Sequence, residues 1–438
     1  MVFISNRKRG NRVIDQEKLI IEIKEYVEKI NLFDKKVTNL FRQAIVDTIS
    51  NTVTVKENGE IFVSTGDIPA MWLRDSTFQV FPYLELVEEI PSIKQLIHGV
   101  IKQQLSYLLH DPYANAFNME ENGQHYSNDQ SNIPISSLVW ERKFEIDSLC
   151  APFFLAYHLY QTGYNKHIDK DFWKSVELVV DIFITEQRHE QSEYRFQRSD
   201  CPFSDTLQND GKGTPIHYTG MVWSGFRPSD DACLYGYFIP GNCFILVILD
   251  QLLDLLSNNE QENLKEKIIQ LKSEISAGIK RYGLMTDQSG KFYYAYEVDG
   301  LGNQLFMDDA NVPSLLSLPF LGYCNEHDTI YLNTREKCLS NQNPYYYSGN
   351  YLTGVGSPHT PPQYVWPISI AMEGLTTTNI SMVKEKITKI ATTDAQTNQC
   401  HEGIDVNDPN HYTREWFSWS NMTYCQLVFH YMKLVGEK

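Results

Sequence analysis

The sequence is poor in positive charge and in long apolar runs, and we expect no export signal, because the basic run Arg7-Lys8-Arg9 is not followed by an apolar segment. Its 438 residues carry 38 Lys and Arg against 55 Asp and Glu, a formal net charge of -17. Nucleic acid and anionic membranes repel such a chain unless a basic patch compensates, and the sequence has none. No stretch approaches the roughly 18 apolar residues that span a bilayer. We therefore expect no nucleic-acid partner, no membrane partner and a cytoplasmic location.

Closely spaced cysteines and glycine-rich nucleotide motifs are also missing. The eight cysteines show no C-x-x-C spacing, so we expect free, buried thiols rather than a zinc ribbon or disulfides. Cys400-His401-Glu402 has no second ligand cluster at a fitting spacing, and we expect no metal site. Gly354 and Gly356 fit neither a dinucleotide fingerprint nor a phosphate loop, and no G-x-S-x-G element is present. We expect no cofactor.

Helical periodicity dominates what is present. Residues 15–50 predict two helices, and alternation around the turn Asn58-Gly59 predicts a small β-hairpin near residues 51–64. No linker divides the chain, so we expect one domain over residues 1–438, with residues 1–14 as a flexible N-terminal extension. Further helices are predicted over 74–89, 92–110, 137–163, 170–188, 231–257, 260–282, 309–321, 328–340, 362–375, 379–393 and 412–435.

Four predicted helices begin with an Asp directly before a small residue. An acidic residue in a first helical turn caps amide donors and meets the positive end of the helix dipole, so capping alone explains any one of them. Four at separations of about 70 to 85 residues indicate a repeated helix pair, as in a toroid of helical hairpins whose inner helices start on one face. The four are Asp75-Ser76, Asp147-Ser148, Asp231-Ala232 and Asp309-Ala310.

Two loop segments combine aromatic and charged side chains in the way that a polyhydroxylated ring requires. Residues 65–76 contain Trp72, Arg74 and Asp75, and residues 218–232 contain Trp223 and Arg227 before an acidic pair. Sugar C–H surfaces stack on indole, while hydroxyls pair with carboxylate and guanidinium. The alternative interpretation is a core tryptophan beside a local ion pair.

Carboxylates suited to proton transfer occur in two places. Repulsion and burial can raise one pKa of the adjacent Asp230 and Asp231, as a general acid requires, although the same pair is also an ordinary helix start. Glu402 lies in an irregular stretch, from which it could reach a water on the far side of a sugar. Glu415 is the alternative base, within a predicted helix beside Trp416.

Taken together, the motifs resemble glycoside hydrolase family 125, the exo-α-1,6-mannosidases, from about residue 35 to the C-terminus. The resemblance rests on TGDIPAMWLRDS, HDPYANAFN, WERKFEIDSLC, TGMVWSGFRPSDDA, LFMDDANVPSLLSLP and HEGIDV. It implies an all-α (α/α)6 barrel and metal-independent, inverting, exo-acting hydrolysis of terminal α-mannose from N-glycan-type oligosaccharides. The oligomeric state stays open.

The resemblance also implies roles for individual residues. The family's acid corresponds to the pair Asp230-Asp231, with a slight preference for Asp231 because it shares the Asp-small position, and the base corresponds to Glu402. We assign sugar binding to Trp72, Arg74, Asp75, Trp223, Arg227, Asp309 and His359. Two alternatives stay open: a carbohydrate-binding barrel without chemistry, and another toroidal enzyme such as an α-glucosidase.

Overall fold

The computed structural model describes residues 14–199, 201–257 and 261–436. The expected N-terminal extension, residues 1–14, lies outside this range except for Ile14. The described chain is mostly helical. Its helices are α1 (Gln16–Val27), α2 (Lys35–Asn51), α3 (Leu73–Val80), α4 (Ile93–His110), α5 (Ile146–Gln161), α6 (Lys170–Glu186), α7 (Gln208–Gly211), α8 (Ile239–Leu256), α9 (Glu262–Tyr282), α10 (Leu318–Leu321), α11 (Thr329–Cys338), α12 (Pro367–Leu375), α13 (Ile380–Thr392) and α14 (Ser418–Val435).

Short strands connect the helices and form sheets of two or three strands. Three of these sheets are β3-β4-β6, β8-β11-β12 and β15-β16-β17, and every pair within them is antiparallel. The strands are β1 (Val53–Val55), β2 (Ile61–Val63), β3 (Met71–Trp72), β4 (Ala116–Phe117), β5 (Gln130–Ser131), β6 (Val139–Glu141), β7 (Phe196–Gln197), β8 (Tyr237–Phe238), β9 (Leu284–Thr286), β10 (Phe292–Tyr294), β11 (Glu297–Val298), β12 (Gln304–Leu305), β13 (Tyr346–Ser348), β14 (Thr353–Val355), β15 (Tyr364–Val365), β16 (Gly403–Asp405) and β17 (Tyr412–Thr413).

The helices form an inner and an outer set. In the inner set, α3 packs against α5 and α14, α5 packs against α8, α8 packs against α10, and α12 packs against α14. In the outer set, α2 contacts α13, and α6 contacts both α4 and α9. Each outer helix shows an amphipathic pattern, as α6 does with Phe172, Val176 and Val180 buried along one side. Apolar burial between the two sets therefore holds the domain together.

The two sets begin differently. Three outer helices, α2, α6 and α13, start at a side-chain N-cap: Asp34 accepts amide hydrogen bonds at the start of α2, and Asp169 does so for α6. Inner helices α3, α8, α12 and α14 start at an aromatic residue, for example Trp72 or Phe417, without a side-chain cap. Their first amide groups and the positive ends of their dipoles are thus left for other partners, which favours negative charge nearby.

The prediction of four Asp-small helix starts is wrong at two positions. Asp75 and Asp147 do lie in the first turns of α3 and α5. Asp231 precedes a loop, since α8 begins only at Ile239, and Asp309 precedes turns that end at α10. Even the two correct positions are not caps, because Asp75 and Asp147 pair with the Arg74 guanidinium instead. Tertiary ion pairs here replace local capping.

Helix α8 is the one helix of the described chain that is long and apolar enough to cross a membrane by composition, and 72% of it is buried. It contacts α5, α9 and α10, which is the position of a core helix. All eight cysteines are free; six are buried as expected, whereas Cys201 and Cys324 are only half-buried.

Candidate active site

A cavity of about 510 Å³ opens at the uncapped ends of the inner helices. Trp72, Trp366 and Phe417 line it at the starts of α3, α12 and α14. The rest of its wall is unusually rich in carboxylates and cations for a cavity this buried. These charged residues are Arg74, Asp75, Glu141, Lys143, Arg198, Asp205, Asp230, Asp231, His359, Glu402 and Arg414.

The acidic pair sits in a tight loop before α8. Phe226 and Ala232 bridge the loop in antiparallel fashion, and the Asp230 amide donates to the Arg227 carbonyl. Asp230 has a positive φ of 67°, in the left-handed region that follows such a turn. A non-glycine residue is uncommon there. The loop therefore retains a carboxylate at a position where the backbone favours glycine, as functional sites often do.

The Asp230 carboxylate points into a ring of donors. Its Oδ1 accepts from Trp72 Nε1 at 3.3 Å and from Asn115 Nδ2 at 3.1 Å. Lys143 Nζ donates to the Asp230 backbone carbonyl at 2.7 Å. Burial alone would raise the pKa of Asp230, but the charges of Lys143 and Arg74 outweigh burial and lower this pKa. Its carboxyl and that of Glu145 are both within hydrogen-bond distance of the same Asn115 side-chain NH₂ group, at 3.1 and 3.2 Å.

Asp231 and Glu402 meet around His359. The His359 Nδ1 lies 3.6 Å from Asp231 Oδ1, and its side chain is 40% exposed. Burial lowers the pKa of His359, but Asp231, Glu402 and Asp230 together raise it to about 9, so the imidazole is a cation at neutral pH. Three carboxylates of the cavity thus raise the pKa of a single histidine. His359, which the sequence analysis assigns to sugar binding, lines the cavity.

Glu402 is held by a small sheet and by one arginine. It directly precedes β16, which pairs with β15 and β17, and its side chain is buried. Arg414 Nη1 donates to Glu402 Oε1 at 3.3 Å, while its other nitrogens bond the Asp67 carboxylate. Arg414 itself has a positive φ of 39°. The sheet and the guanidinium together fix where the Glu402 carboxylate points.

Arg74 anchors the floor of the cavity. Its guanidinium is 2% exposed and bonds Asp75, Glu145 and Asp147 at 2.8 to 3.0 Å. Burial raises the pKa of Asp75 to about 6, with Arg74 opposing the shift and Asp230 adding to it. Arg74 also lies over the Trp419 ring at 5.2 Å. Trp72, Arg74 and Asp75, to which the sequence analysis assigns sugar binding, all line this cavity.

Three residues expected to bind sugar lie outside the cavity wall. Trp223 is 1% exposed and stacks on His189 with ring centroids 3.3 Å apart, so it is a core residue. Arg227 pairs with Glu297 at 2.6 Å. Asp309 is buried and accepts from the Asn311 amide at 2.8 Å. The sequence pattern is the same for Trp72 and Trp223, and only tertiary packing separates them.

Glu415 also lies away from the cavity. Glu415 is exposed and accepts a hydrogen bond from Tyr412 at 3.1 Å. The prediction that it lies within a helix is wrong, because α14 begins at Ser418.

The sequence analysis did not identify Arg414, the neighbour of Glu415, as a site residue. Its position depends on a left-handed backbone conformation, which an arginine in the sequence does not predict. Glu145 was also missed, although it stands two residues before Asp147 in a segment dense with charge. In the part of the chain that the structure describes, no three His, Cys, Asp or Glu side chains are grouped to hold a metal ion.

Helices in two sets surround a cavity lined by carboxylates and indoles, and the family to which this chain belongs identifies it as a glycoside hydrolase. The chain belongs to glycoside hydrolase family 125, the metal-independent α-mannosidases, whose family model matches residues 34–429. A metal-independent α-mannosidase from Streptococcus pneumoniae, solved in a non-productive complex with α-1,6-mannobiose, is 42% identical with a TM-score of 0.90. That match covers 95% of this chain and 98% of the streptococcal chain.

One further relative and one further solved structure extend the comparison. The "Meiotically up-regulated gene 157 protein" of Schizosaccharomyces pombe is 34% identical over 436 residues, covering 94% of this chain and 84% of the yeast protein. A bacterial glucoamylase bound to acarbose shares 13% identity with a TM-score of 0.58, over 94% of this chain and 58% of its own. The glucoamylase likeness concerns the fold alone.

Proposed function

We propose that this chain is an inverting exo-α-1,6-mannosidase that removes non-reducing terminal α-mannose from N-glycan-type oligosaccharides. The observation that carries the proposal is the meeting of Asp230, Asp231 and Glu402 in one cavity around His359. The α-1,6-mannobiose bound by the streptococcal enzyme supports the linkage. We further propose one catalytic domain built as an (α/α)6 barrel, supported by the ordered contacts from α14 through α3, α5 and α8 to α10.

In this mechanism Glu402 is the base and Asp230 is the acid. An inverting hydrolase places its two carboxyls roughly 6.5 to 9.5 Å apart, which leaves room for a water. Glu402 takes a proton from that water as it attacks the anomeric carbon. Asp230 gives a proton to the glycosidic oxygen, and the bond to the leaving sugar breaks. Arg414 orients the Glu402 carboxylate for the first step.

Asp230 is the better acid of the pair for two reasons. The sequence analysis preferred Asp231 because it was predicted to start a helix, but α8 begins only at Ile239. The Asp230 and Glu145 carboxyls share the Asn115 NH₂ group as a donor. Two buried carboxyls this close do not both ionise readily, so a proton stays within the pair and is available to Asp230 although the pKa of Asp230 itself is lowered. Asp231 instead faces the His359 cation. We assign Asp231, with Trp72 and His359, to holding the terminal sugar.

Single substitutions test the proposal. Asp230→Asn and Glu402→Gln should each lower kcat/KM on α-1,6-mannobiose by about 10²- to 10⁴-fold, the usual contribution of an acid or base. Glu415→Gln is the matched control for Glu402→Gln and should stay within about threefold of wild type, because its carboxylate lies outside the cavity. Near-full activity of Glu402→Gln would remove it from the mechanism, and faster release of glucose than mannose from matched glycosides would replace the proposed substrate.

A further inference from the structure

The Asn115 amide faces more carboxylate oxygens than it can satisfy. Its Oδ1 accepts from the Lys143 backbone amide at 3.2 Å, so its NH₂ group must be the end that faces the acids. That NH₂ lies 3.0 Å from Glu141, 3.2 Å from Glu145 and 3.1 Å from Asp230. An amide nitrogen carries only two hydrogens. One of the three carboxyls must therefore find another hydrogen.

The cations nearby are also too few for the acids around them. Arg74 is shared by Asp75, Glu145 and Asp147, all of them buried. Lys143 and Arg198 are already committed to Glu141 and Asp205. An unpaired buried carboxylate is expensive, and such groups take up a proton instead. The cluster therefore binds at least one proton while the protein is folded.

Glu145 is the best place for that proton. It is 1% exposed, and among the described residues the Asn115 side-chain amide, already shared by two other carboxyls, is the only donor to its Oε1. Its Oε2 accepts from Arg74 at 2.8 Å and from the Ser148 hydroxyl at 2.9 Å. The groups facing it are Arg74, Asn115, Asp147, Ser148 and Asp230. Burial raises the pKa of Glu145 well above its usual range; Arg74 opposes this, and Asp230 and Asp147 add to it.

We propose that Glu145 is a proton-sharing partner of Asp230, holding a proton in the resting enzyme and passing it to Asp230 during glycosidic cleavage. This inference rests on the proposed function and on Asp230 as the acid. In this step one proton moves along the pair. The Glu145 O–H bond breaks as an O–H bond forms on Asp230, and Asp230 then gives this proton to the departing glycosidic oxygen. Glu145 becomes a carboxylate stabilised by Arg74 and Ser148. The proton taken up by Glu402 leaves to solvent, and a solvent proton entering through the cavity reloads the Asp230-Glu145 pair.

Leaving-group dependence tests a positioning residue of this kind. Glu145→Gln keeps size and a hydrogen-bond donor but has no proton to share. It should lower kcat/KM on α-1,6-mannobiose by about 10²-fold, yet by less than about tenfold on dinitrophenyl α-mannoside, because dinitrophenolate departs without protonation. Asp147→Asn is the matched control. It also removes a carboxylate from Arg74, without touching Asp230, and should change both substrates by the same factor.

The outcomes separate the inference from the proposed function. If Glu145→Gln slows both substrates equally, or leaves α-1,6-mannobiose hydrolysis unchanged, proton sharing is refuted. If Asp231→Asn rather than Asp230→Asn shows selective loss on mannobiose, the acid assignment fails. If the wild-type enzyme leaves mannobiose intact, the proposed function itself fails. A second readout is the alkaline limb of the kcat/KM profile, which should move to lower pH in Glu145→Gln, since Asp230 then titrates without a partner carboxyl.

Discussion

Replacing Trp223 by alanine should reduce stability while leaving sugar affinity intact. The indole is 1% exposed, stacked on His189, and so closely covered that a Cβ built on Gly236 would come within 2.2 Å of it. Removing a buried tryptophan typically costs about 3 to 5 kcal/mol. A chain of 438 residues unfolds with an entropy of about 0.9 kcal/mol per kelvin, so Tm should fall by about 3 to 5 °C.

Thermal unfolding measured beside KM on α-1,6-mannobiose decides the question. The contrast is Trp72→Phe, which keeps an aromatic ring in the cavity but removes the Nε1 donor to Asp230. That variant should lose about 10- to 150-fold in kcat/KM with a smaller change in Tm, because one hydrogen bond to a charged group is worth about 1.5 to 3 kcal/mol. An unchanged Tm with a tenfold higher KM in Trp223→Ala would show that Trp223 binds sugar after all.

Three further substitutions follow from the same contacts. Gly236→Ala should lower Tm by several degrees, because its Cβ collides with the Trp223 ring, and a wild-type melting curve would contradict the packing described. Because the pKa of His359 is raised to about 9, its positive charge stabilises the fold fully below about pH 6.5, and this stabilisation is lost as pH rises through about 9. The Tm deficit of His359→Gln should therefore shrink between these pH values. A deficit that stays constant would contradict the pairing with Asp231. Arg74→Met leaves three buried carboxylates without their cation, so we expect a loss of about 3 to 5 kcal/mol in urea unfolding, and a loss below about 1 kcal/mol would contradict it.

The long amphipathic helices could be predicted from the sequence because their burial is one-sided and local. Helix α6, predicted over residues 170–188, spans Lys170–Glu186, and α9, predicted over 260–282, spans Glu262–Tyr282. The inner helices begin later than the sequence pattern predicts. The pattern includes residues 137–145, 231–238 and 412–417 in α5, α8 and α14, whereas in the structure these stretches are loops and short strands.

The reason for these errors is that the loop carboxylates serve tertiary partners. Acidic residues before a helix are usually caps, but here Asp75 and Asp147 neutralise Arg74, and Asp230 receives donors from Trp72 and Asn115. Apart from the neighbouring Arg74 and Asp75, these partners are 73 to 158 positions apart, and contacts over such separations leave no periodic pattern in the sequence. The sequence could therefore indicate which segments contain candidate site residues. It could not indicate that Trp72 rather than Trp223 lines the cavity, or that Asp230 rather than Asp231 shares a donor with Glu145.

The most direct test of the account is proton NMR of α-1,6-mannobiose during hydrolysis by the wild-type enzyme. One spectrum series reports substrate, linkage and stereochemistry, because the anomeric protons of α- and β-mannose are resolved before mutarotation mixes them. A mechanism in which Glu402 directs water to the face opposite the bond that Asp230 protonates predicts β-mannose as the first product. First-formed α-mannose, or no cleavage at all, would contradict it.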